Sequence, residues 1–107
     1  MTRERLPNRR EAETFDLESG GLVYTATYAR FADGRVAELF LRNHKTNSMA
    51  DTLAKDAAVV CSIALQYGAP LDVLRKALMR DPRGRASGSL GEALDMIAGM
   101  NASEAAT

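Results

Sequence analysis

The sequence predicts an α+β fold, a three-stranded antiparallel meander followed by two or three helices packed on one face of the sheet. Apolar and polar residues alternate with a period of two between residues 14 and 42, which is typical of half-buried strands. Ala32-Asp33-Gly34, within that region, is a hairpin signal. From residue 48 onward apolar residues recur at steps of three and four, which predicts amphipathic helices.

Three segments in the first half have the composition and alternation of strands. The first is residues 14–18, TFDLE, and a Ser-Gly-Gly turn follows at 19–21. The second is residues 22–30, LVYTATYAR, rich in residues that suit a pleated surface. The third is residues 35–42, RVAELFLR. Short connections between them favour a meander.

The second half carries the boundary signals of three helices. Ser48 begins a capping box, and Gly68 is a natural stop for the first helix. Pro70 suits the first position of the second helix, and residues 81–89 have no periodicity, which predicts a loop. Ser89 is placed to cap a third helix. The side chains predicted to face inward are Leu53, Ala57, Val60, Cys61, Ala64 and Leu65 in the first helix, Leu71, Leu74 and Leu78 in the second, and Leu94 and Ile97 in the third.

The 107 residues suffice for one modest core and not for two. We assign residues 1–13 to a polar N-terminal arm, 14–100 to a single domain and 101–107 to a frayed tail. The 14 basic residues balance the 14 acidic ones, so binding to nucleic acid or membrane would need a local patch. No apolar run predicts a membrane span or a secretory signal, which favours a cytoplasmic protein.

A single cysteine and a single histidine limit the chemistry. Cys61 alone excludes an internal disulfide and a cysteine-based zinc cluster, and its apolar neighbours predict an inert core thiol. His44 alone is a poor basis for a metal site or a nucleophile–base pair. We therefore predict no catalytic residues, no metal and no cofactor, and interpret the chain as a binding or assembly domain rather than an independent enzyme.

The strongest local asymmetry of charge is a basic cluster around the predicted loop. Arginine side chains beside free amides at a helix start can bind phosphate. The alternative is a solvated face, in which Arg75 and Lys76 complement the dipole of the second helix. The candidate residues for an anion or nucleotide are Arg80, Arg83, Arg85, Ser87 and Ser89, with His44 and Lys45 in the link from the third strand to the first helix.

We also expect self-association, most simply as a twofold homodimer. The predicted sheet is small and has two edges, with few large apolar residues to cover both of its faces. Tyr24 and Tyr28 lie on one face, and we expect Phe40 from the third strand to join them. Such a surface is typical of burial against a second copy or a partner.

Two stretches of the sequence resemble a known family. FADGRVAELFLRNHK (31–45) is followed, after about fifteen residues, by CSIALQYGAPLDVLRKAL (61–78), and RLPNRR (5–10) precedes both. Their order and spacing resemble the TSCPD domain family, the C-terminal accessory domain of adenosylcobalamin-dependent ribonucleotide reductases. The residues that carry the resemblance are Asp33, Gly34, Arg35, Glu38, Phe40, His44 and Lys45, then Ser62, Leu65, Gln66, Tyr67, Gly68, Pro70 and Leu71.

The resemblance implies a stand-alone, non-catalytic TSCPD-like domain with a binding or regulatory role, associated with a ribonucleotide reductase. The chain lacks the Thr-Ser-Cys-Pro-Asp string of that family. By similarity alone it would be called a ribonucleoside-diphosphate reductase, but one cysteine cannot supply the radical-forming cysteine and the reducing pair. Two alternatives stay open: a nucleic-acid-associated protein that uses the basic patch at 75–85, and a reductase subunit acting in trans.

Overall fold

The computed structural model of the chain describes residues 2–8 and 11–106, with side chains as far as residue 101. It confirms the α+β fold: three antiparallel strands in the order β1-β2-β3 are followed by three helices. No helix among these residues is both long enough and apolar enough to cross a membrane. The elements are β1 (Ala12–Ser19), β2 (Leu22–Arg30), β3 (Val36–Asn43), α1 (Met49–Gln66), α2 (Leu71–Ala77) and α3 (Ser89–Ala106).

Two tight hairpins join the strands. Between β1 and β2, Gly20 and Gly21 have φ values of +59° and +78°, as a two-residue hairpin turn requires. Between β2 and β3, the backbone N–H of Phe31 donates to Arg35 O at 2.8 Å, and Gly34 has a φ of +96°. The two turns predicted from the sequence are therefore confirmed.

Two elements extend beyond their predicted bounds. β1 begins at Ala12, inside the segment assigned to the N-terminal arm, and α3 runs to Ala106, inside the segment assigned to a frayed tail. The start of the arm lies against the C-terminal end of α1, because the N–H of Glu4 donates to Gln66 O at 2.7 Å. The carboxylate of Glu4 also pairs with Arg35 at 2.9 Å.

The strand register decides which side chains share a face of the sheet. Thr27 pairs with Phe40, whereas Tyr28 pairs with Leu39. Because directly paired residues of an antiparallel sheet point to the same side, Phe40 lies on the opposite face from Tyr28. Tyr28 is 1% exposed and Phe40 is 56% exposed. The prediction that Phe40 shares a face with Tyr24 and Tyr28 is therefore wrong, and both tyrosines belong to the core.

The core lies between the inner face of the sheet and the helices. Leu94 and Ile97 of α3 are fully buried, as predicted. The three leucines predicted to face inward from the second helix are partly buried against the core, and α2 itself contributes no fully buried residue. The buried cluster comprises Leu17, Tyr24, Ala26, Tyr28, Val36, Leu39, Leu41, Ala54, Ala58, Cys61, Leu65, Ala93, Leu94 and Ile97.

Helix α1 turns a different face inward from the predicted one. Leu53 is 60% exposed and Val60 is 68% exposed, although the apolar pattern predicts both in the core. From the predicted inward set, Cys61 and Leu65 are buried. The buried residues of α1 are Asp51, Ala54, Ala58, Cys61, Ser62, Leu65 and Gln66. The buried face therefore mixes polar and small residues with apolar ones.

The physical reason is the outer edge of β3, which α1 covers. Ser62 Oγ accepts a hydrogen bond from Leu39 N–H at 2.8 Å and donates one to Leu39 O at 3.0 Å. Gln66 Nε2 donates to Ala37 O at 3.1 Å. Backbone groups along a strand edge need hydrogen-bond partners, and polar side chains of α1 supply them. We call this contact of Asp51, Ser62 and Gln66 with β3 the seam.

Asp51 forms the end of the seam at the start of α1. Its carboxylate accepts from the N–H groups of Asn43 at 2.9 Å and Asn47 at 3.2 Å, and pairs with Lys55 Nζ at 2.9 Å. These contacts, above all the one from Lys55, hold the pKa of Asp51 below its ordinary value. Ser48 Oγ accepts from the N–H of Asp51 at 3.1 Å, which confirms the predicted N-cap.

Candidate functional site

The basic cluster contains arginines that hold the structure together. Arg80 donates to the two carboxylate oxygens of Asp95, at 2.7 and 2.8 Å, and to Gly84 O at 3.0 Å. Arg75 donates to Asp95 and to Asp72, both at 3.2 Å. The hydrogen bond from Arg80 is the main cause that lowers the pKa of Asp95. Arg80, a predicted ligand-binding residue, thus ties the loop before α3 to that helix.

The tip of this loop presents two further arginines. Asp81 Oδ1 accepts from the backbone N–H groups of Arg83 at 2.9 Å and Arg85 at 3.0 Å. Gly84, with a φ of +83°, lies between them. Arg83 and Arg85 are exposed. The carboxylate therefore orders the backbone, and the two guanidinium groups can meet an anion from solvent.

The predicted serines lie between this loop and α3. Ser87 is exposed, and its N–H donates to Met79 O at 2.9 Å. Ser89, half-buried, begins α3 beside a cavity of about 500 Å³ that Tyr24 and Leu53 also line. The walls of that cavity are mainly apolar, which suits an anion poorly.

His44 and Lys45 lie after β3, where the chain leaves the sheet. His44 Nε2 is 3.0 Å from Thr25 Oγ1, and Thr25 Oγ1 donates to Asp16 Oδ1 at 2.8 Å. The hydroxyl proton of Thr25 therefore points to a carboxylate and not to the imidazole, which is not a nucleophile–base arrangement. The N–H of Lys45 donates to Asn43 Oδ1 at 2.9 Å. Among the described residues, no hydrogen bond or ion pair joins this group to the basic loop.

The outer face of the sheet holds a cavity that the sequence analysis missed. Two rows of directly paired residues run across this face, which we call the open face: Asp16, Thr25 and Arg42, then Thr14, Thr27 and Phe40. The cavity has a volume of about 370 Å³ and lies between this face and the side chains of Lys55 and Val59 on α1. The pairing of Thr27 with Phe40 shows that Phe40 lies on this outer face. The sequence pattern does not indicate that pairing, because it does not give the register between β2 and β3.

A second surface missed from the sequence is an apolar groove between α1 and α2. Leu53 and Val60, the two strongly exposed residues of α1 described above, line it from one side. Leu74 and Leu78 line it from the other side, and its volume is about 490 Å³. We call it the α1–α2 groove. The sequence pattern assigned all four side chains to the core, so the groove follows from the unexpected rotation of α1.

Cys61 lies in the core near the seam. It is 4% exposed, and burial raises the pKa of its thiol to about 11. A thiol with that pKa is protonated at neutral pH and reacts slowly. Within residues 2–8 and 11–101, no group of three or more His, Cys, Asp and Glu side chains could hold a metal ion.

Comparison with known proteins relates the chain to one class of enzyme. It is 41% identical over 71 residues to the vitamin B12-dependent ribonucleotide reductase of Agrobacterium fabrum, and 38% identical over 71 residues to that of Bradyrhizobium diazoefficiens. It is 33% identical over 72 residues to that of Rhodopirellula baltica. These matches cover 65% to 67% of the chain but only 6% to 7% of each relative. No protein-family model and no solved structure matches the chain.

The chain is thus homologous to a short segment of these reductases, in agreement with the resemblance to the TSCPD accessory domain. Several residues that carry the resemblance are structural: Ser62 and Gln66 form the seam, and Gly68, with a φ of +99°, follows α1. Others are exposed, including Phe40 and Tyr67, which is 41% exposed. The resemblance therefore concerns both the fold and its surface.

Proposed function

We propose that the chain is a stand-alone, non-catalytic TSCPD-like domain that binds a ribonucleotide reductase and regulates it. The observation that carries this proposal is the extent of the similarity. About two thirds of the chain matches a segment that makes up 6% to 7% of each reductase. A domain that the relatives carry within a long chain can act in trans when it is a separate chain. A reductase subunit acting in trans is the closest alternative.

The state of Cys61 supports a non-catalytic role. Ribonucleotide reduction needs a radical-forming cysteine and a reducing pair, and the sequence has one cysteine. That thiol is buried and its pKa is raised to about 11, so it is protonated at neutral pH. Turnover of ribonucleotides by the purified chain alone, abolished by Cys61→Ser, would overturn this part of the proposal.

We assign the contact with the reductase to the α1–α2 groove. Exposed apolar side chains such as Leu53 and Val60 are typical of surfaces that a partner protein covers. The groove is long enough for several apolar anchors, because it runs from Leu53 to Ala64 along α1. Val73 of α2 is also exposed, at 60%, but does not line the groove, which makes it a matched control.

The test is affinity purification of the tagged chain from its native cell, followed by mass spectrometry. We expect a ribonucleotide reductase to be enriched with the wild-type chain and with Val73→Asp, and to be lost with Val60→Asp. Reductase assays with and without the added chain then distinguish the two hypotheses. A regulatory domain changes the rate of a reductase that is already active, whereas a subunit acting in trans is needed for activity by a reductase that lacks this segment. Absence of any reductase from the purified material would contradict the proposal.

We further propose that the chain is a cytoplasmic homodimer. The support for a dimer is a small three-stranded sheet whose open face exposes an aromatic residue, Phe40. Tyr24 and Tyr28 lie in the core and do not contribute to this surface.

A second candidate function is contact with a nucleotide or nucleic acid through the basic loop. The exposed guanidinium groups of Arg83 and Arg85, on an ordered backbone, favour it. Replacing both by Ala should weaken binding of a fluorescent nucleotide or of RNA at least tenfold, whereas Arg5→Ala, at an exposed arginine outside the patch, should not. Binding through phosphate contacts would also fall steeply with salt. Unchanged binding in the double variant would move the site to His44 and Lys45.

A further inference from the structure

We propose that two copies of this chain pack open face to open face, about a twofold axis that runs parallel to β2. The inference refines the homodimer of the proposed function by naming its interface and symmetry. It does not depend on the binding of a reductase. It rests on the distribution of charge across the open face and on the register of the three strands.

Exposed charges of opposite sign lie at the two edges of the open face. In one row, exposed Asp16 of β1 and exposed Arg42 of β3 lie at opposite ends, with Thr25 of β2 between them. Glu18 adds a second exposed carboxylate on β1. Beside β3, Lys55 of α1 is paired with Asp51 at 2.9 Å, and Glu38, which the register also places on this face, is buried. Arg42 therefore supplies the exposed positive charge at this edge. Neighbouring strands lie about 4.8 Å apart, so the two edges are separated by roughly 10 Å.

This distribution is complementary to itself under one rotation. A twofold axis along β2 places β1 of one copy against β3 of the other and keeps each row at its own level. Asp16 then faces Arg42 of the second copy, and Arg42 faces Asp16 of the second copy, so the charged pair forms twice. A twofold axis across the strands would instead bring the two acidic β1 strands together, which like charges disfavour.

The row of the open face beside the charged one also suits burial in such a dimer. In the next row, Phe40 is 56% exposed, and the same rotation places it against Thr14 of the second copy. Thr14 Oγ1 and Thr27 Oγ1 lie 3.0 Å apart, so these hydroxyls already bond to each other. Two sheets stacked face to face lie about 10 Å apart with strands within roughly 30° of parallel. Phe40 is long enough to fill part of that space.

The size of the face predicts a dimer of moderate affinity. Three strands of eight or nine residues cover on the order of 400 Å² of sheet. A standard stable interface buries about 800 Å² on each partner, so α1 must contribute as well. Val59, 55% exposed beside the open face, is placed to do so. We therefore expect a monomer–dimer equilibrium that depends on protein concentration.

The decisive experiment is sedimentation equilibrium on charge-reversed variants. Asp16→Arg places two cations at each charged contact of the dimer, and Arg42→Asp places two carboxylates there. Each variant alone should therefore dimerise at least tenfold more weakly than the wild type. An equimolar mixture of the two should dimerise as heterodimers, because each contact again joins an arginine to an aspartate. Circular dichroism of each variant checks that it is folded.

The matched controls are charge reversals on other surfaces, Asp56→Arg on α1 and Lys76→Asp on α2, both exposed. They should leave the dimer unchanged, as should Val60→Asp in the α1–α2 groove. A wild type that stays at 11.6 kDa at all concentrations would overturn the inference. So would a mixture of folded Asp16→Arg and Arg42→Asp that stays monomeric. If the control variants lose the dimer while Asp16→Arg and Arg42→Asp keep it, the interface lies on the helices and the inference is overturned.

Discussion

The seam and the segment from α2 to the basic loop are attached to the same core by different forces. In the seam, Ser62 and Gln66 are 9% and 4% exposed, and they bond directly to the backbone of β3. In the other segment, α2 has no fully buried residue, and Arg80 holds the loop through an ion pair with Asp95. Both of those side chains are about a quarter exposed.

The difference shows where this fold can tolerate change. A buried backbone group without a partner is costly, so the side chains that bond to the backbone of β3 in the seam should contribute strongly to stability. An ion pair that reaches solvent is replaced by water when it breaks, and its net contribution is small. We therefore expect the seam to be sensitive to substitution and the loop to be tolerant.

The largest effect should come from Ser62→Ala. The substitution leaves the N–H and the carbonyl of Leu39 without their side-chain partner in a buried position. We expect the free energy of unfolding to fall by about 2 kcal/mol and the melting temperature by roughly 10 °C. Ser87→Ala, at an exposed serine, should change stability by less than about 0.5 kcal/mol. Equal effects in thermal unfolding would remove the distinction between the two regions.

Acid should weaken both regions, because Asp51 in the seam and Asp95 beside the loop have lowered pKa values. Each carboxylate stabilises the fold above the pKa of the unfolded chain, about 3.8, and loses that contribution as pH falls through its lower folded pKa. Urea unfolding should show stability declining as the pH falls below about 5. Asp51→Asn and Asp95→Asn should each be less stable at pH 7 and show a flatter decline.

A smaller effect is expected from Arg80→Ala. The variant loses the pair with Asp95 and the bond to Gly84 O, but water can reach both acceptors. At low salt its melting temperature should lie a few degrees below that of the wild type. At high salt the difference between the two proteins should be smaller, because salt screens the ion pair. Lys76→Ala is the matched control on α2. A loss as large as that of Ser62→Ala would show that the loop is as tightly integrated as the seam.

The smallest effect should follow from replacing Arg83 and Arg85 together by Ala. Both are exposed, and Asp81 orders their backbone through main-chain N–H groups that alanine retains. We expect thermal stability to change by less than about 0.5 kcal/mol for each replacement. A large loss of stability without ligand would mean that these side chains are structural.

Much of the fold could be predicted because it follows from local patterns. The alternation of β2, the glycines at 20 and 21 and the cap at Ser48 each act within a few residues, and the structure confirms them. The residues predicted to bind a ligand lie at two separate positions, the loop before α3 and the link after β3. Arg80 bonds to Asp95 fifteen positions away, and no local pattern indicates that pairing.

By itself, the sequence determined the order and type of the elements, the positions of the turns and the presence of a single thiol. The tertiary structure decided the rotation of α1, the face that Phe40 occupies and the division of the arginines between structure and surface. The physical reason is the edge of β3: its backbone needs hydrogen-bond partners, and Ser62, 23 positions from Leu39, supplies them. That requirement buries polar residues of α1 and leaves Leu53 and Val60 exposed, a result that hydrophobic periodicity cannot indicate.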